Sequence, residues 1–259
     1  MDQRIVPLDD VSNFRDYGGY ATAGGGRIKT GRLYRSANHA RASDADLEAI
    51  AALNIAVVVD LRRRGERERD PSRRHPAFAA TVLHNDLGDT PEDPWHAFVR
   101  SSDLSEGAFR GFAVEYYRGA PFEVRHLDLF SRYFQALARS DGPVLIHCAA
   151  GKDRTGLLAA LTHHLLGVHP DDIVADYLLT NTAIPFDRIA PLVADMMAEE
   201  SGRRPELAAV RVAMGVEPLY LETAFAEIRQ AHGSIDAYLL NVLGVDAGLK
   251  QKLEARLLA

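Results

Sequence analysis

The chain has 259 residues, and 30 lysines and arginines against 36 aspartates and glutamates leave a formal charge of −6. A globular balance of 47% hydrophobic and 25% charged residues excludes a disordered, collagen-like or coiled-coil chain, and the acidic excess excludes a general nucleic-acid binder. The one cysteine, Cys148, excludes an internal disulfide and any multi-cysteine zinc or iron–sulfur site, but not a reactive thiol.

The opening string MDQRIVPLDD is acidic and lacks an apolar core, so no secretory leader is read and the cytoplasm is the expectation, although leaderless export would leave no mark. No uncharged run reaches the length of a membrane span. Residues 13–19 and 24–26 are turn-rich, and 27–35 alternate as a strand. Neither glycine cluster leads into a helix, so neither is a dinucleotide loop. Ser43 caps a helix running to about Leu53. The continuous β-branched run 55–60 predicts a short strand covered on both faces. Residues 62–74 hold seven arginines against Glu66, Glu68 and Asp70 and read as a solvated, salt-bridged face.

A second short strand is expected at 81–84, then an aromatic segment at 91–122, in which Phe109, Phe112 and Tyr116 have helical spacing. It reads as an inserted helical segment, its aromatics either core or a lid. A helix at 127–139, a strand at 143–147 and a helix from about Arg154 to Gly167 follow, and everything beyond Pro170 reads as helix. Together these predict an α/β chain with a central, mostly parallel sheet flanked by helices. It forms one domain over 1–259, with a possible lid insertion at 91–122 and a helical C-terminal part at 170–259.

The chemistry lies in the string HCAAGKDRTG at 147–156. It sets Cys148 at the end of a buried strand and Arg154 six residues on, at the start of a helix. A tight turn between strand end and helix N-terminus can point successive backbone N–H groups inward, and the helix dipole adds positive potential there. Ala149, Ala150 and Gly151 leave room for an oxyanion, Lys152 adds a cation, and Arg154 offers a planar fork for two oxygens. A thiol in such a cradle would ionise readily. The corresponding reaction is attack by sulfur on phosphorus, giving a cysteinyl-phosphate that water hydrolyses. The Thr155 hydroxyl is placed to hydrogen-bond the sulfur as it leaves. His147 reads as a structural residue that orients the loop, and His163, His164 and His169 lack a carboxylate at metal spacing and read as helix-face residues.

The C-x5-R loop followed by Thr resembles that of the cysteine-dependent protein tyrosine phosphatases. The longer string, with Lys152 and Asp153 inside the loop, resembles their bacterial tyrosine and dual-specificity subfamily. NFRDYGGY at 13–20, GRLYRSA at 31–37, VVDLRRRGERERDP at 58–71, AMGVEPLY at 213–220 and GSIDAYL at 233–239 are similar to that subfamily too, so the resemblance covers most of the chain.

It implies a tyrosine phosphatase-like fold and hydrolysis of phosphotyrosine. It also implies phosphoserine, phosphothreonine or phosphoinositides as further substrates, phosphate or vanadate as active-site ligands, and no metal or cofactor. The residues from Ala149 to Arg154 bind the phosphate, and Lys152 suits substrates with extra phosphates. A Trp-Pro-Asp acid is absent, and Asp93-Pro94-Trp95, in reverse order, is a coincidence. Candidates for the general acid are Asp153, then Asp60 at the end of its strand, then Asp86 or Asp89; Asp60 could equally be structural, paired with Arg62 or Arg154. The rival functions are a catalytically silent phosphate-binding module and a sulfurtransferase or arsenate reductase.

Overall fold

The computed structural model describes residues 3–90 and 92–259. Pro91, where the expected insertion begins, and the first two residues of the N-terminal string lie outside them. Five short strands form one sheet: β1 (Arg15–Asp16), β2 (Leu33–Ser36), β3 (Val57–Asp60), β4 (Thr81–Leu83) and β5 (Val144–His147), in the order β1-β2-β5-β3-β4. Only β1 runs antiparallel to its neighbour.

Alternation along the strands explains why β3 and β5 are apolar throughout. Leu33, Val57, Val59, Val144 and Ile146 enter the larger core with the helices Val124–Arg139 and Asp153–Leu165, whereas Tyr34, Val58 and Leu145 enter a second core with Phe14 and Leu47. Leu47 lies on the helix Asp44–Ala52, whose start is fixed by a reciprocal capping box between Ser43 and Asp46.

Three expectations are corrected. Of residues 27–35 only 33–35 are strand, as part of Leu33–Ser36, while Arg27 and Ile28 form isolated bridges to Ala21 and Leu258. The cause is Asp16, whose carboxylate accepts the N–H of both Gly18 and Gly31 and turns the chain at Gly31, with φ +73°. The helix expected from 127 begins at Val124, because its first turn buries the polar Arg125 and His126 and so hides its inward face from an apolar pattern. His163 is a core residue: it is fully buried, with Nε2 2.7 Å from the carbonyl oxygen of Tyr17.

The aromatic segment folds as the helices Pro94–Ser101 and Glu106–Gly119 and a 3-10 turn, Ala120–Phe122. The first two do not form a unit alone. With Phe186–Ser201 and Leu207–Met214 they enclose a separate core of Val99, Leu104, Phe109, Ala194, Met197 and Val210, against which Trp95 and Phe98 pack. Asp93 caps the first of these helices through its carboxylate to the Trp95 N–H, with Pro94 at the first helical position, so Asp93-Pro94-Trp95 is a helix start. Among the described residues no helix is long and apolar enough to cross a membrane.

Candidate active site

The register of the three central strands sets Ser36, His147 and Asp60 side by side at the carboxyl edge of the sheet. Cys148 follows on the middle strand, where open α/β sheets gather ligands, and is 2% exposed. The helix Asp153–Leu165 starts five residues on, and Gly156 seats it so closely that a Cβ there would lie 2.8 Å from the Tyr177 ring.

The loop is held from outside. Asn38 donates to the Ala149 carbonyl from both its backbone N–H (2.9 Å) and its side chain (3.1 Å). The Asn13 amide donates to the carbonyls of Ala150 (3.1 Å) and Gly151 (2.9 Å), and Arg35 Nη2 donates to Gly151 as well, at 2.9 Å. In a planar trans peptide the N–H points opposite to the C=O. Tying three successive carbonyls outward therefore turns the N–H groups of Ala150, Gly151 and Lys152 to the other side, forming an anion nest. Arg15 donates to Asn13 Oδ1, which orients that amide. Arg15 and Arg35 both ion-pair with buried Asp176, and although burial pushes this carboxyl upward, the two arginines hold it at about 2.

Gly151 is required by two independent constraints. Its φ is +67°, and a Cβ there would lie 2.3 Å from the Ser36 carbonyl oxygen. Gly151→Ala is expected to destabilise the protein by about 2–4 kcal/mol, through backbone strain and forced displacement of the loop. Chemical denaturation measures this, and a loss below about 0.5 kcal/mol would show that the loop is not built this tightly.

Arg154 meets Glu66 in a two-point pair, Nη2 to Oε1 at 2.7 Å and Nη1 to Oε2 at 2.5 Å, and Nη1 also donates to the Leu61 carbonyl at 3.3 Å. Burial pushes the Glu66 carboxyl up, but the Arg154 charge and hydrogen bond outweigh it and hold the group at about 2. Arg154 is held well above its usual range, because the same partner offsets its burial. Glu66 belongs to the arginine-rich run expected to be a solvated face. That expectation holds for Arg64 and Arg69, whose ion pairs are exposed, but Arg62 is 2% exposed and Glu66 is buried against the loop.

Asp60 is the carboxylate that Arg62 clamps, Nε to Oδ1 at 2.9 Å and Nη2 to Oδ2 at 2.7 Å. Burial pushes Asp60 up, yet His147 and the Arg62 fork bring it far below the carboxylate range. Burial holds His147 down at about 4 and hence neutral near pH 7, so Arg62 is the cation that balances Asp60. His147 stacks on His39 at 5.2 Å and has Nδ1 3.3 Å from the Cys148 carbonyl oxygen. Of the alternatives for Asp60, the structure thus shows the pair with Arg62. Asp86 is bound by Arg67.

Asp153 accepts a hydrogen bond from the Tyr117 hydroxyl at 3.1 Å and lies 3.7 Å from Lys152 Nζ, with its side chain 26% exposed. Lys152 is neither solvated nor turned to the nest: its Nζ donates to the carbonyls of Ala213 (2.6 Å) and Gly215 (3.2 Å), capping the C-terminal end of Leu207–Met214. Thr155 Oγ1 is buried without a hydrogen-bond partner. Asn13, Arg35, Asn38, Glu66 and Tyr117 escape a reading by loop motif, because they come from other elements. Asn13 and Arg35 fall inside NFRDYGGY and GRLYRSA, so these strings carried the signal. Among the described residues no cluster of three or more metal-ligating side chains is present.

A cysteine at the carboxyl edge of a parallel sheet, a loop with inward N–H groups and a buried, clamped arginine give an α/β protein whose site is suited to an oxyanion. The sequence comparisons make this more particular. The family model for the tyrosine phosphatase family matches residues 6–259, and the chain belongs to that family, whose activity is protein-tyrosine phosphatase. The chain is similar to a protein of Cupriavidus necator assigned as a tyrosine-protein phosphatase (37% identity, 93% of this chain and 85% of that one). It is also similar to the triple specificity protein phosphatase PtpB of Mycobacterium tuberculosis (31% identity, 95% of each chain). The crystal structure of Pseudomonas aeruginosa TpbA is a distant match, 21% identical over 76% of this chain and 96% of that one, with a TM-score of 0.32.

Proposed function

We propose that the chain hydrolyses phosphotyrosine, and with it phosphoserine, phosphothreonine or phosphoinositides, through a cysteinyl-phosphate on Cys148. The outward anchoring of the 149–151 carbonyls carries this reading, since it supplies a nest of N–H groups beside a cysteine and a clamped arginine. In the first step sulfur attacks phosphorus, the sulfur–phosphorus bond forms and the bond to the leaving oxygen breaks; in the second, water displaces the thiolate and releases phosphate. The nest and Arg154 stabilise the non-bridging oxygens through both. The name of the M. tuberculosis relative supports breadth of substrate. An unpartnered cysteine nucleophile favours a reducing compartment, in keeping with a cytoplasmic location.

Turnover of p-nitrophenyl phosphate, blocked by vanadate, tests the reading. No turnover by the intact protein would leave the silent binding module, and turnover only of sulfur or arsenate donors would favour the thiol-transfer rivals. Parallel assays on a phosphotyrosine peptide, a phosphoserine peptide and phosphoinositide vesicles then rank the substrates.

For the proton to the leaving group we propose Asp153. It is the partly exposed carboxylate at the loop, whereas both oxygens of Asp60 are taken by Arg62. Asp153→Asn is expected to slow aryl phosphates with poor leaving groups by about a hundredfold while sparing good ones. Equal losses across a series of leaving groups would remove Asp153 from this role.

A further inference from the structure

Tyr116 and Tyr117 are neighbours on the helix Glu106–Gly119, and their hydroxyls are treated differently. That of Tyr117 is engaged twice, by Asp153 and, at 2.7 Å, by Tyr177. That of Tyr116 is buried and has no hydrogen-bond partner, although its ring is only half-buried. The charged and ionisable groups near enough to act on it electrostatically are Arg154, Glu123, Asp153 and Cys148. An orphaned donor therefore sits on the helix that meets the reactive loop through the next residue, Tyr117, at Asp153. The second orphaned hydroxyl at this loop is Thr155, next to Arg154. A buried hydroxyl without a partner is costly, and a ligand that accepts its hydrogen bond removes that cost. Burial raises this phenol well above its ordinary range, so it stays protonated and able to donate throughout the neutral range.

We infer that the Tyr116 hydroxyl is a phosphate ligand, donating its proton to a non-bridging oxygen of the phosphoryl group held above Cys148 by the nest and Arg154. The inference rests on the phosphatase reading for its ligand. It adds a contact from the helix Glu106–Gly119, so that a bound phosphate joins this helix to the loop.

Tyr116→Phe removes the oxygen and keeps the ring. Calorimetry with inorganic phosphate and inhibition by orthovanadate are expected to weaken about tenfold to a hundredfold, with kcat/KM falling by a similar factor. The melting temperature of the free variant is expected to stay the same or rise, because the lost hydroxyl had no partner. Phosphate and vanadate affinities within twofold of the parent would overturn the inference. So would a lower melting temperature of the free variant, since the hydroxyl would then be bonded inside the protein. Phosphate binding needs no turnover, so a protein that binds phosphate but fails to hydrolyse would sink the phosphatase reading alone, whereas one that binds none would sink both.

Discussion

Cys148→Ser is expected to reduce turnover of p-nitrophenyl phosphate by about 10⁴-fold or more, while leaving the affinity for inorganic phosphate within a few-fold of the parent. The separation follows from how the loop is supported. Asn13, Arg35 and Asn38 fix the loop carbonyls, and Glu66 fixes Arg154, so a serine inherits an intact cradle. It does not inherit a nucleophile. A hydroxyl needs a general base, and His147, the nearest in sequence, has Nδ1 at the Cys148 carbonyl and Nε2 3.7 Å from Asp60. Kinetics and calorimetry on the same preparation check this; a serine variant keeping more than about one hundredth of the rate would argue against a cysteinyl-phosphate.

Arg154→Lys is expected to lower kcat/KM by about 10³-fold, because an ammonium cannot hold two carboxylate oxygens of Glu66 and still present a planar pair of donors to phosphate. Glu66→Gln leaves Arg154 its charge but takes away its counterion, and is expected to cost about 3 kcal/mol of stability with a smaller kinetic loss. The pH dependence identifies the pair. Glu66 is held at about 2, below its ordinary value of 4.5, so its stabilising contribution is complete above about pH 4.5 and drains away as the pH falls toward 2. Melting temperatures taken from pH 2 to 6 are therefore expected to climb less steeply for Glu66→Gln than for the parent. Identical slopes would mean that Glu66 is not ion-paired in solution.

Much of the fold was legible because its signals are local. A β-branched run covered on both faces, a helix capped by Ser43, and a cysteine and arginine six apart between strand and helix each need only neighbouring residues. The corrections share a different cause. The arginine-rich run reads as solvated because charge is the only local signal. Burying Arg62 with Asp60, and Glu66 with Arg154, depends on β3 lying beside β5, a neighbour about 90 residues away in the chain. Lys152 reads as a cation for substrate, yet it caps a helix that the chain reaches only after residue 207.

By itself the sequence determined the chemical alphabet of the site: a thiol, a guanidinium and a loop with no bulk between them, carried on a parallel sheet. It determined these because strand period, helix start and loop spacing are fixed by short-range sterics and hydrogen bonding. Only the tertiary structure decided what holds that alphabet in place. Asn13, Arg35 and Asn38 orient the loop, Glu66 clamps Arg154, Arg62 binds both oxygens of Asp60, and Tyr117 meets the loop at Asp153. Apart from Arg62 with Asp60, two residues away, these are contacts across long sequence separations. They exist only once burial has removed the competing water and left each polar group the partners that packing allows.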